Sequence, residues 1–285
     1  MSAIPATEHL RQAQYLAQRI GRNLLPGPVA RWARRLARLS PGGETTAPQE
    51  IAEYYRDTLE EEMGFALDGK KVLLFGFGGH LGVACRLLRM GAAHVYLYDK
   101  FATFDHRLNA RLLPEFEEYL ARESEAVRPR PKWLTHLRPT SDEAAPTFPE
   151  VDAVLSLTVL EHVDDPPLWI DRLAAATAGS GVHLHHVDLR DHLFATPFEM
   201  LCYRESTWRR WLNPRRSNLN RWRLRDHESL FRRLFEHVEV VVKEREPEAF
   251  DRTRARIRPE FLTGNREVDS ATAIQIRARW PRPRS

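Results

Sequence analysis

Apolar residues recur at helical spacing near the start of the chain, at Leu10, Ala13, Leu16, Ala17, Ile20 and Leu24. After the break Pro26-Gly27-Pro28 the period resumes at Val29, Trp32, Leu36 and Leu39, so two amphipathic helices are predicted. Ser40-Pro41-Gly42-Gly43 ends this attachment, and a third helix is expected from about Pro48 to Gly64. From Lys71 the pattern changes to short apolar runs separated by helical segments, which is how a buried parallel sheet with crossover helices reads. Strands are expected over Val72–Phe75, His94–Tyr98, Trp133–Leu137, Ala153–Leu157, Val182–Val187, His237–Lys243 and Thr272–Ala278. Helices fit between them at Gly82–Met90, His106–Arg122, Pro166–Thr177 and Asp226–Glu236. The class is α/β. Residues 1–68 form an N-terminal helical attachment, 69–193 and 226–280 the core, and 194–225 an insertion rich in aromatic residues and Arg that reads as a cap.

Composition narrows the picture modestly. A length of 285 residues suits one main domain with attachments. No apolar run approaches the roughly 20 residues of a membrane span, and the polar N-terminus does not read as a secretory signal. With Cys85 and Cys202 as the only cysteines, a disulfide framework is excluded and a cytoplasmic location is expected. The formal charge of +4 is too small a bias to indicate nucleic acid, which is not expected as a partner. Arginines cluster in the first forty residues, between Arg204 and Arg225, and after Arg252. The N-terminal helices could therefore cover the site, pair two copies into a homodimer, or lie peripherally on a membrane; lid or dimer packing is the preferred reading.

The chemistry begins at Val72-Leu73-Leu74-Phe75-Gly76-Phe77-Gly78-Gly79-His80-Leu81-Gly82, where a glycine turn joins a buried strand to a helix. Glycine suits a sharp turn that lets a ligand approach the backbone. Asp99 follows the next strand, where a carboxylate can accept from both hydroxyls of an adenosine ribose. Strand, glycine turn, helix, strand and acid together signal a nucleoside ligand. The spacing Gly76-x-Gly78-x-x-x-Gly82 also suits a dinucleotide, which keeps a nicotinamide-dependent oxidoreductase open as an alternative.

The segment Asp152-Ala153-Val154-Leu155-Ser156-Leu157-Thr158-Val159-Leu160-Glu161-His162-Val163 closely resembles the fourth-strand motif of class I S-adenosylmethionine-dependent methyltransferases of the bacterial, small-molecule type. The resemblance covers roughly Gly69 to Leu189. It implies a Rossmann-like fold with a seven-stranded, mostly parallel sheet whose last strand is antiparallel, and S-adenosyl-L-methionine as cofactor. Gly76, Phe77, Gly78, Gly79 and His80 would then lie by the methionine and ribose, Asp99 on the ribose, and Lys100 and Phe101 beside the adenine. Thr140, Ser141 or Asp142 would contact the adenine amino group, while Leu157 and Thr158 would floor the sulfonium. Glu161 and His162 would support the site from a helix start or touch a ligand. The family's usual acid two residues before the first glycine is Leu74 here, which keeps a noncatalytic cofactor-binding scaffold open as a second alternative.

His183-Leu184-His185-His186-Val187-Asp188-Leu189-Arg190-Asp191-His192 carries an unusual density of ionisable groups at the end of the fifth strand, where an open α/β sheet binds its ligands. Strand alternation sends His186 and Asp188 to one face, and His185 and Val187 to the other. His186 or His192 could take a proton from an acceptor, with Asp188 or Asp191 orienting the ring. These residues match no recognised metal-ligand spacing, so no metal is expected. Val187 to His192 also resembles a segment of bacterial methyltransferases associated with saccharide or natural-product pathways. The acceptor is expected to be a small molecule methylated on oxygen. The aromatics Phe198, Tyr203, Trp208, Trp211 and Trp222, with Met200 and the arginines among them, would suit an anionic one.

Overall fold

The computed structural model describes residues 47–138, 147–192, 196–213 and 218–283. The two earliest helices expected from the sequence, and Thr140, Ser141 and Asp142, lie outside these residues.

The chain enters through α1 (Pro48–Asp57), which passes into a wider π-helical turn at Thr58–Glu62. It then alternates β1 (Lys71–Phe75), α2 (Gly82–Arg89), β2 (His94–Tyr98), α3 (His106–Ala110) and α4 (Leu113–Phe116). A hairpin of β3 (Leu120–Glu123) and β4 (Ala126–Pro129) precedes β5 (Leu134–Leu137) and β6 (Val151–Leu157). α5 (Pro166–Ala175), β7 (Thr177–Asp188), α6 (Leu224–Leu234), β8 (Phe235–Arg245), α7 (Pro247–Thr253), α8 (Arg266–Asp269) and β9 (Ala271–Pro281) complete the order. Seven strands make one sheet in the order β5-β2-β1-β6-β7-β9-β8. β5 through β7 run parallel, and β9 inserts antiparallel to both β7 and β8. This is the sheet that the resemblance implied.

The apolar runs form strands because both faces of the sheet are covered. Val72, Leu74, Val95, Leu97, Leu155 and Leu184 face one way, against Ile51 and Tyr55 of α1 and Val83 and Leu87 of α2. Leu73, Phe75, Val154, Val187, Ile274 and Ile276 face the other, against Ile170 and Leu173 of α5 and Leu230 and Phe231 of α6. Each such side chain contributes about 1.5 to 3 kcal/mol by leaving water. Either core alone would exceed the net stability of a domain before chain entropy is counted.

Between β6 and β7 the second core holds a polar string. The Thr177 hydroxyl donates to the Leu173 carbonyl at 2.7 Å, so it accepts from His183 Nε2 at 2.8 Å. His183 Nδ1 must then accept from His185 Nε2 at 3.1 Å, and His185 Nδ1 from the Ser156 hydroxyl at 2.7 Å. Every donor meets one acceptor with both imidazoles neutral. Burial pushes His183 well below the usual histidine range and His185 down to about 3.

Three stretches differ from the sequence expectations. The helix expected over His106–Arg122 is two short helices followed by the β3/β4 hairpin. Pro114 sits in the first turn of α4, where its missing N–H costs nothing, so it starts a new helix instead of continuing the old one. The hairpin then turns at Ser124, whose φ is +53°. β7 begins at Thr177, earlier than the expected Val182, and its register shifts opposite Val151 to Ala153. The cap draws a third of its buried core from beyond residues 194–225. Phe198, Met200, Trp208, Leu212 and Leu219 pack with Ala249 and Phe250 of α7 and with Ile257, from the β8–β9 connection. A bidentate Glu199–Arg256 pair at 2.8 and 2.9 Å ties the two parts together.

Candidate active site

The glycine turn leaves β1 with Gly76, Gly78 and Gly79 at φ of +87°, +67° and +87°, a region that side chains with a Cβ rarely adopt. At Gly76 a Cβ would also stand 2.2 Å from Cγ2 of Val159, and at Gly79 2.3 Å from the Thr103 carbonyl oxygen. The turn is held from below by Asn109 of α3, fully buried, which sequence reasoning missed. Its Nδ2 donates to the Gly79 carbonyl at 3.0 Å and its Oδ1 accepts the Leu81 amide at 2.9 Å. Asp105 adds its amide to the same Gly79 carbonyl at 3.0 Å. Side-chain clamping lets three positive-φ residues stay ordered although glycine loses much entropy on folding.

Asp99 stands at the carboxyl end of β2 beside this turn. Oδ2 accepts the Gly78 amide at 3.1 Å, and Oδ1 accepts the amides of Phe101 and Ala102 at 2.8 and 2.7 Å. A carboxylate offers about four acceptor positions, so the remaining one, on Oδ2, is available to a ligand hydroxyl. Lys100 pairs with Asp164 at 2.9 Å, and Phe101 is 62% exposed, an unusual state for so large an apolar side chain. Phe77 and His80 turn inward instead. Phe77 is fully buried against Phe104 and His136, and the His80 ring packs close to Gly82. Burial lowers the His80 pKa. Leu74 lies in the first core with Leu97 and Leu155 as its register neighbours, so no carboxylate is present there.

At the end of β6, half-buried Leu157 is followed by Thr158 with φ of +52°, rare for a β-branched residue. Its amide donates to the His186 carbonyl at 2.9 Å, joining the ends of β6 and β7. A 3₁₀ turn, Leu160–His162, comes next and is strapped by residues 218–220. Asn220 donates its amide to the Glu161 carbonyl at 2.9 Å, and its Nδ2 to the carbonyls of Leu160 and Val163. His162 Nδ1 donates to the Asn218 carbonyl at 2.6 Å. Glu161 is buried, and burial raises its carboxyl well above the usual range.

At the end of β7, Asp188 receives the Arg190 guanidinium in a two-pronged contact at 2.9 Å on each oxygen, and the Arg190 amide as well. His192 Nε2 lies 3.5 Å from Asp188 Oδ2, and its ring centroid 5.0 Å from that of His162. Burial alone would raise the Asp188 pKa, but hydrogen bonds from His192 and Arg190 override it and hold the carboxylate well below its usual range. His186 is half-buried on the α1 side, 6.4 Å from the Tyr54 ring, and burial lowers its pKa. The structure thus brings Asp188 and His192 together and sets His186 apart. It also joins Glu161 and His162 to that pair, although spacing in the sequence suggested no metal-ligand set.

A family model described as a methyltransferase domain matches residues 31–241, well over half of the chain. The chain belongs to this methyltransferase family. Its cofactor is S-adenosylmethionine, which decides between the two nucleoside readings of the glycine turn. The phospholethanolamine N-methyltransferase 2 of Haemonchus contortus, solved with phosphomonomethylethanolamine and S-adenosylhomocysteine, superposes with a TM-score of 0.51. Identity is 15%, over 94% of this chain and 61% of that one. An S-adenosylmethionine dependent methyltransferase from Mesorhizobium loti gives a TM-score of 0.44 at 18% identity, covering 80% of this chain and 97% of that one. At that identity the likeness to the Haemonchus contortus enzyme shows the fold. No curated protein sequence matches significantly.

The residues of this methyltransferase fit its cofactor. The glycine turn is a cradle that a Cβ at Gly76 or Gly79 would disrupt, and Asp99 keeps one acceptor position beside it. Three of the cap arginines that suggested an anionic acceptor are engaged within the protein, and Arg215 and Arg216 lie outside the described residues. Arg221 is buried on the carbonyls of Met200 and Tyr203 with Glu205, and Arg223 on those of Leu189, Asp269 and Ala271. Arg209 pairs with Glu205. No described helix is long and apolar enough to cross a membrane.

Proposed function

We propose that this methyltransferase methylates a hydroxyl group of a small molecule, one of the natural-product or saccharide-related type. S-adenosylmethionine, when bound, supplies a methyl group already activated on a sulfonium sulfur. The chain itself has to hold the two reactants and accept a proton. Gly76, Gly78, Gly79 and Asp99 hold the cofactor on the β1–β2 side, with Phe101 beside the adenine. Leu157 and Thr158 form the floor on the β6 side.

The observation that carries the oxygen reading is the Asp188–His192 pair at the carboxyl end of β7. A hydroxyl must lose its proton to become a good nucleophile, whereas a neutral amine arrives with its lone pair ready. His192 takes that proton on a ring nitrogen, and Asp188 orients the ring and stabilises the imidazolium. Arg190 keeps Asp188 ionised for this task. His186, facing Tyr54, forms part of the acceptor wall.

The reading is tested by incubating the full chain with S-adenosylmethionine carrying a labelled methyl group and a panel of phenols, sugars, hydroxy acids and amines. Label in an O-methyl product is expected. Label only in N-methyl products, or no transfer by protein that binds S-adenosylhomocysteine tightly, overturns it.

A further inference from the structure

Glu161 is the middle residue of the Leu160–His162 turn and is only 4% exposed. Among the described residues neither of its carboxylate oxygens, both buried, has a hydrogen-bond partner of full geometry, the amides of Glu161 itself and of Asp188 lying near enough only to moderate its raised pKa. A buried carboxylate left unpaired is among the costliest arrangements a fold can carry, and native proteins keep one where something else completes it. The Asn218–Asn220 strap does not complete it, because its hydrogen bonds go to the turn's carbonyls and to the His162 ring.

The neighbours of that carboxylate are metal-binding groups. One ligand atom each from Glu161, His162 and His192 lies within 4.8 Å of the others. His162 donates from Nδ1 to the Asn218 carbonyl at 2.6 Å, which fixes the tautomer whose Nε2 carries the lone pair. A backbone carbonyl on the far nitrogen is the usual partner of a metal-ligating imidazole. Asp188 sits behind His192 in the same way, 3.5 Å from Nε2. Ligands bonded at about 2.1 Å stand roughly 3 to 4 Å apart, so the three need to close by about 1 Å.

We propose that Glu161, His162 and His192 bind a divalent first-row transition cation on the acceptor side of the methyltransferase site. Two imidazoles and one carboxylate suit zinc, cobalt, manganese or ferrous iron, whereas magnesium and calcium favour oxygen donors alone. The cation neutralises Glu161 and offers its open positions to an acceptor oxygen. The proposal rests on the methyltransferase reading for the cation's role, and it gives His192 a second use for its lone pair when the cation is bound.

Cobalt(II) titrated into chelator-stripped full-length protein reads the site directly, through visible absorption and calorimetry. One equivalent is expected to bind. Glu161→Gln with His162→Ala should weaken that binding at least a hundredfold, and His192→Ala should weaken it in a variant whose changed residue is solvent-exposed and spares the core. His237→Ala, on the exposed part of β8, should leave it unchanged. Circular dichroism checks that each variant is folded; if the double variant is not, His192→Ala decides alone. Equal cobalt affinity in the wild-type and variant proteins overturns the metal site. S-adenosylhomocysteine binding is measured on the same stripped samples, and its absence from wild-type protein would overturn the cofactor assignment independently of the cobalt result.

Discussion

Oδ2 of Asp99 accepts the Gly78 amide across 3.1 Å, joining the end of β2 to the glycine turn that follows β1. The same carboxylate accepts the amides of Phe101 and Ala102, so one side chain shapes both edges of the proposed cofactor cleft. Asp99→Ala should therefore weaken S-adenosylhomocysteine binding by about 1.5 to 3 kcal/mol, the range for lost hydrogen bonds to a charged group. Part of that loss reflects a less ordered turn. Asp99→Asn, which keeps an acceptor oxygen, should lose less. Calorimetric titration of both variants checks this, and unchanged affinity in folded Asp99→Ala would place the ribose contact elsewhere.

Buried imidazoles give the fold an acid-side weakness. His183, His185 and His227 are all buried, His183 is pushed well below the usual range, and His185 and His227 are lowered to about 3 by burial. Such groups stay neutral in the folded chain while the unfolded chain takes up protons below about pH 6.5. Their stability contribution is therefore intact above that pH and is lost as pH falls toward their folded values. Each costs about 1.4 kcal/mol per pH unit in that window. Glu161 acts in the opposite direction, since its raised pKa means that acid relieves a buried charge. The net loss between pH 7.5 and 5.5 should be about 1.5 to 4 kcal/mol. Urea unfolding at those two pH values measures it, and a flat profile would show that the imidazoles are not held neutral.

Arg223 makes a different demand on the core. Its guanidinium is buried, its pKa lowered to about 10, and it donates to the carbonyls of Leu189, Asp269 and Ala271 at 2.6 to 3.2 Å. These contacts tie the segment after β7 to the start of β9. Arg223→Met would leave three carbonyls short of a partner and should cost about 3 to 5 kcal/mol. Arg225→Met, which removes only an exposed contact with Glu260, should stay within about 0.5 kcal/mol. A comparison of denaturant midpoints checks the contrast, and equal effects would mean that Arg223 is not a structural tie.

The core strands were legible because a sheet covered on both faces writes itself as apolar runs, and the glycine turn because its backbone excludes other residues. His94–Tyr98 is the same in pattern and in structure. What could not be read depended on contacts distant in the chain. Asn109 looks like any polar helical residue until its amide is seen on Gly79 and Leu81. The rest of the cap's core comes from Ala249, Phe250 and Ile257, which no local period connects with Phe198 or Trp208. The arginines of the insertion suggested a bound anion. Yet Arg221 and Arg223 are aimed at backbone carbonyls, a use that leaves no trace in spacing. Glu161 and His162 were visible as part of a motif, but their meeting with His192 needed the ends of β6 and β7 side by side.

The residues of the proposed acceptor side stand in two groups. Asp188 and His192 touch each other at the end of β7, while His186 is turned toward Tyr54, and Asp99 lies across β1 on the far side of the cleft. Residues on the acceptor side should therefore affect turnover more than cofactor affinity. His192→Ala should lower kcat by about 10² to 10⁴-fold, the range for loss of a general base, with S-adenosylhomocysteine affinity nearly unchanged. Asp188→Asn keeps the shape but removes the charge that Arg190 and His192 share, and it should reduce kcat by a smaller factor. If Asp188 acts through His192, the double variant should be little worse than His192→Ala alone, because residues that work as a unit are not additive. His186→Ala should raise KM for the acceptor and leave kcat within about tenfold, as expected of a positioning residue. Steady-state kinetics on the acceptor identified by methyl labelling measures all four. Full turnover in His192→Ala, or a larger kcat loss in His186→Ala than in His192→Ala, would transfer the proton-accepting role to the Tyr54 side of the sheet.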